Sequence, residues 1–125
     1  MSAPRALARA RAARGVRFRL HGRAPADGFD CVGLAAFAWD VAAPTGYPLR
    51  AGPRARAERE IAALGFARSE PVPGAIVLFA PGPGQLHLAI STGDGVIHAD
   101  AVARRVVERA GPLPWPILAA WIREE

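Results

Sequence analysis

The sequence predicts an α+β fold, with helices first and an antiparallel strand meander second. Three observations carry this reading. Strong helix formers fill the first part of the chain, short apolar runs bounded by proline and glycine fill the rest, and the change falls at Pro71 and Pro73. The 125 residues suit one compact domain over 1–125, long enough to bury a core without metal or disulfide. Apolar residues at 51% and charged residues at 22% exclude a disordered tail.

The first helix is expected over 4–14, with Pro4 tolerated in its first turn and Gly15 as its C-terminal cap. A loop rich in Gly, Pro and Asp follows over 21–28. Asp30 then precedes Cys31–Trp39, which is apolar on every side and reads as a buried helix ended by Pro44 and Gly46. A third helix over 53–64 turns Ile61 and Leu64 to the core and stops at Gly65. Residues 75–79 read as a buried strand and 86–91 as a second. Gly93-Asp94-Gly95 makes the turn, 96–99 returns antiparallel, and 105–108 and 117–122 complete the meander. No repeat and no linker interrupts this order.

The net charge is +5, and all 16 basic residues are arginine. Such a balance favours polyanions, among them nucleic acid, anionic lipid and an acidic cell wall. Seven arginines (Arg5, Arg9, Arg11, Arg14, Arg17, Arg19 and Arg23) precede position 24, so the basic character is local. It reads as a solvated helix face and loop, with no specific nucleic-acid partner. No run of about 18 apolar residues is present, so no transmembrane segment is expected. The basic start lacks the apolar stretch and cleavage site of a secretory signal, which leads to an expectation of synthesis in the cytoplasm.

The one cysteine, Cys31, excludes an internal disulfide. It follows Asp30 in the first turn of a buried helix, where N–H groups and the helix dipole favour a thiolate. A nucleophilic cysteine needs a base, and His87 and His98 flank the tight turn at Asp94. They lie seven positions before it and four after it, which makes them diagonal or near neighbours across the hairpin. Triad logic makes Cys31 the nucleophile, one histidine the base and the other its orienting group. Buried packing for the cysteine and structural roles for the histidines stand as the alternatives. Fast alkylation of Cys31 below neutral pH separates a reactive thiolate from an inert thiol.

The segments Gly28-Phe-Asp-Cys-Val-Gly-Leu34, Pro73-Gly-Ala-Ile-Val-Leu-Phe79 and His87-Leu-Ala-Ile…Gly-Asp-Gly-Val-Ile-His-Ala99 together resemble the NlpC-type cell-wall cysteine peptidases. The resemblance covers residues 5 to 122 and implies a papain-like α+β fold, with the nucleophile at a helix N-terminus packed on an antiparallel sheet. It implies Cys31 as nucleophile, His87 as base and His98 as the residue orienting it. It also implies hydrolysis of an amide in peptidoglycan stem peptides, the bond between γ-D-glutamate and a diamino acid, with no cofactor and no metal. Three positions depart from the family pattern: Val32 replaces its serine, Ala75 its aspartate and Phe18 its tyrosine. Loss of that hydroxyl at Phe18 shifts the oxyanion hole toward backbone N–H groups, including that of Cys31. Asp30 is expected to cap the helix or meet a substrate amine, and His21 to line the site.

Without a leader the chain is similar to the small peptidases of phage or gene-transfer-agent tails, which implies tail proteins as partners and delivery to the wall from a particle. Two other classes stay open. A thiol amidase or acyltransferase of the same fold would act on another substrate, and a non-catalytic basic module would bind through the N-terminal face.

Overall fold

The computed structural model describes residues 1–43 and 53–124. Helix α1, Ala3–Ala12, starts on the Ser2 hydroxyl, which accepts from the Arg5 N–H, and has Pro4 in its first turn. Its buried stripe is Ala6, Ala10 and Ala13, small residues at i, i+4 and i+7 that let α1 approach α2 closely. Helix α2, Cys31–Trp39, is capped by the Asp30 carboxylate, which accepts from the Gly33 N–H at 2.8 Å. Its end differs from expectation. Asp40 takes a left-handed conformation, φ 53°, and closes the helix on the carbonyls of Ala36 and Phe37, so the chain needs no proline to stop it. Pro44 and Gly46, expected to end this helix, lie outside the described residues.

Helix α3, Arg54–Ala63, buries only Ile61; Leu64 is half-buried just past its end. Its exposed face carries Arg54–Glu58 and Arg56–Glu60 pairs at i,i+4. The short strands β1 (Arg23–Ala24) and β2 (Gly28–Phe29) form a two-stranded ribbon before α2. Strands β3 (Ala67–Arg68), β4 (Ile76–Phe79), β5 (His87–Ser91), β6 (Val96–Asp100), β7 (Arg105–Arg109) and β8 (Ile117–Ile122) build one sheet in the order β3-β8-β4-β5-β6-β7. Its neighbouring strands pair antiparallel throughout the described residues. The outer edge of β7 is covered by residues 15–18, through bonds such as Gly15 N–H to the Val106 carbonyl.

Strand β4 is buried at all four positions because both sheet faces are covered. One face packs Ile76, Leu78, Ile90, Ile97, Val106 and Trp121 in a core with α1 and α2. The other face is smaller: Ala75, Val77, Phe79, Ala89, Val96 and Ala120 are covered by Leu113, Trp115 and Ile122. A glycine positions α2 itself. A Cβ at Gly33 would lie 1.9 Å from the Gly22 carbonyl oxygen, so only glycine lets the first turn of α2 sit against the loop that precedes β1.

Candidate active site

Cys31 opens α2 and lies, half-buried as a residue, at a cleft between that helix and the start of β5. Asp30, at 3% exposure, is held from three directions. One oxygen accepts from the Gly33 N–H and from Arg23 Nη1 at 3.0 Å; the other accepts from the His21 N–H at 2.8 Å. The local sequence thus turns the first helical residue toward the cleft and fixes it there. Phe18, Leu20, Asp30, Cys31 and His87 all line this cleft, closed at its sides by Pro81, Gln85 and Ala101. His21 does not line it. The residue sits at φ 63°, and what it gives the site is its main-chain N–H, through Asp30. Asp30 itself is a helix cap and cleft wall together.

The β5–β6 register pairs Ile90 with Ile97 and Ser91 with Val96. Carried along the strands, it makes His87 and His98 diagonal neighbours on one face. Their rings meet edge-to-face, with centroids 5.1 Å apart, and His87 Nε2 lies 2.9 Å from His98 Nδ1. His98 is 1% exposed and stands behind His87, away from the cleft lining. Its Nε2 has no hydrogen-bond partner among the described residues. Because His87 Nε2 is committed to His98, Nδ1 is the His87 nitrogen left to act at the cleft.

Burial pushes the His87 imidazole down to about 4; neighbouring His98 adds to the shift and Asp100 opposes it. Burial lowers His98 too, helped by Arg109 and opposed by Asp100. Burial also pushes the Cys31 thiol up to about 11. The Asp30 carboxylate adds to this, while the N–H groups of Leu88, Val32 and Cys31 pull the other way. The thiolate expected from the helix N-terminus is thus opposed by burial. Desolvation disfavours the charged form of both groups, and at the thiol it outweighs the N–H groups of the helix start.

One residue that sequence reasoning missed joins the site. Trp115 packs edge-on against both imidazoles, 5.4 Å from His87 and 6.1 Å from His98, and against Phe79 at 6.1 Å. Its one sequence signal is a large aromatic between Pro114 and Pro116.

A cysteine at a helix start and a histidine pair on an antiparallel sheet are carried here on the fold of NlpC/p60 domains. The chain superposes on NlpC2 from Trichomonas vaginalis with a TM-score of 0.72 at 20% identity, covering 96% of this chain and 47% of that one. It superposes on NlpC1 of the same organism with a TM-score of 0.65 at 18% identity, covering 97% and 45%. For the NlpC/p60 domain of the peptidoglycan hydrolase SagA the TM-score is 0.58 at 21% identity, covering 88% and 90%. The chain thus spans about half the length of the two Trichomonas proteins. No family model matches the sequence, and no curated protein matches it.

Proposed function

We propose that this protein is a cysteine peptidase that hydrolyses an amide bond in the stem peptides of peptidoglycan. The observation that carries the reading is the His87–His98 hydrogen bond at 2.9 Å, which leaves His87 Nδ1 as the basic nitrogen in the cleft that Cys31 also lines. Its fold, shared with the domain of a peptidoglycan hydrolase, supports the substrate class.

In the first step Cys31 Sγ attacks the scissile carbonyl while His87 Nδ1 takes the thiol proton. For Nδ1 to be the acceptor, His87 must carry its resting proton on Nε2 and donate it to His98 Nδ1. His98 then holds its own proton on the buried Nε2. The imidazolium of His87 returns a proton to the leaving amine, giving a thioester. Water, deprotonated by His87, releases the acid and restores the thiol. The N–H groups of Cys31 and Val32 at the start of α2 supply donors for the oxyanion, and Phe18 brings no hydroxyl to the cleft.

The γ-D-glutamyl–diamino acid bond is the proposed point of cleavage. Delivery by a phage or gene-transfer-agent tail, with tail proteins as partners, belongs to the same proposal and rests on the sequence resemblance alone. The test is incubation with purified peptidoglycan and mass analysis of released stems, with Cys31→Ala as control. Release of fragments ending at γ-D-glutamate, absent in the control, supports the reading. Identical products from both proteins, or none from either, overturn it.

Attraction to an anionic wall yields a further expectation. Not every N-terminal arginine is available for it: Arg9 donates to the Phe37 carbonyl and stacks on its ring, and Arg11 and Arg14 face Glu108. Arg5, Arg17 and Arg19 are exposed. Their joint replacement by glutamine should lower turnover of intact wall relative to soluble stem peptide, and the difference should vanish with salt as the Debye length falls to about 8 Å at physiological ionic strength. A wall-to-peptide ratio equal in both proteins at every salt concentration would show these arginines to be ordinary solvated surface.

A further inference from the structure

The segment joining β7 to β8 is Gly111-Pro-Leu-Pro-Trp-Pro116. Proline fixes its own φ and disfavours helical backbone at the residue before it, so Leu113 and Trp115 are each restricted by the proline that follows. Both side chains cover the smaller sheet face. The strap is tied down at its end, where the Ala80 N–H donates to the Pro116 carbonyl at 3.2 Å. Few segments of this chain are so restricted before folding, so little entropy is lost in placing the indole.

We infer that Trp115 is a positioning residue for the base: the proline strap holds its indole edge-on against both imidazoles, fixing the His87–His98 hydrogen bond in one geometry and keeping water from it. The ring planes stand at 82° to His87 and 80° to His98, so one side chain braces both partners at once. Phe79, at 71° to the indole, backs it from β4. Without the brace, water would compete for His87 Nε2 and for the buried Nε2 of His98, and His87 could turn away from the cleft. Depression of the His87 pKa by burial agrees with this shield. Charged and titratable groups near the dyad are Asp30 and Cys31 at the start of α2, Asp100 on β6 and Arg109 on β7; the strap contributes none.

The functional meaning rests on His87 being the base, but the shielding itself is measurable without substrate. Imidazole nitrogen resonances are followed against pH by NMR in wild type, W115F and W115A, beside the pH profile of kcat/KM. W115A should move the His87 titration from about 4 toward its ordinary 6.5 and carry the acid limb of kcat/KM with it. W115F, which keeps a flat apolar ring, should restore both. An unmoved His87 titration in folded W115A overturns the proposal. Should W115A fail to fold, exchange of the shared N–H with water decides: slow in wild type and W115F but faster in W115L supports the shield, and fast exchange in wild type, or exchange as slow in W115L as in wild type, overturns it. If no wall is cut but the titrations behave as stated, the brace stands and the substrate reading falls.

Discussion

Cys31→Ser is expected to keep the fold and to abolish release of stem peptides. The oxygen is smaller than sulfur and sits at the same helix start, so packing changes little. Chemistry changes a great deal, because a hydroxyl is a far harder acid than a thiol and a base as weak as His87 cannot activate it. A loss of roughly 10³-fold or more in kcat is the scale seen when a nucleophile is removed from such a triad. Hydrolysis above a few per cent of wild type, by the order-of-magnitude standard of such series, would remove Cys31 from the nucleophile's role. Alkylation gives the companion measurement. With the thiol pushed up to about 11, labelling should be slow at neutral pH and accelerate as pH rises toward that value. Slow labelling at neutral pH is thus expected of the working enzyme too, and hydrolysis, not labelling, separates it from an inert binding module. Rapid labelling below pH 7 would instead show a thiolate–imidazolium pair.

Unequal losses are expected at the two histidines. His87→Ala removes the proposed proton acceptor and should bring activity to background. His98→Gln should cost roughly ten- to a hundredfold, since the amide oxygen still accepts from His87 Nε2 and only part of the orientation is lost. The sign of the pH effect also follows. Protonated His87 cannot take the thiol proton, so kcat/KM should fall as pH drops through about 4. His98 helps to depress His87, so its replacement should move that acid limb upward. If His98→Gln proves as inactive as His87→Ala while His87→Gln stays active, the two roles are reversed.

The elements that place the nucleophile were legible in the sequence because their signals are local. An aspartate cap followed by nine apolar residues gave α2 its start, and the Gly93-Asp94-Gly95 turn made the two histidines diagonal neighbours. What the sequence hid depends on tertiary structure. Trp115 reaches the histidines only because the sheet has a second face and a strap crosses it, which no periodicity encodes. The two-residue strands β1, β2 and β3 are too short to show a period at all. Asp40 ends α2 by a left-handed conformation that aspartate tolerates but does not announce. The upward push on the Cys31 thiol was hidden for a related reason: a helix N-terminus is visible in sequence, whereas burial, the larger effect here, is not.

The position of β8 bears on how the molecule is made. Residues Ile117–Ile122 follow the other strands of the sheet in sequence, and so leave the ribosome after them, yet they occupy the interior of the sheet between β3 and β4. Trp121, 2% exposed and paired with Ile76, belongs to the core that supports α2. A nascent chain that has already extruded Cys31, His87 and His98 therefore still has an open edge on β4 and no floor beneath its helices. Vectorial synthesis cannot complete this domain from the N-terminus onward; closure waits for the final strand, across the large sequence separation that slows folding. Until then the β4 edge is free to pair with another strand, and a chain terminated before Ile117 is left with that edge permanently exposed.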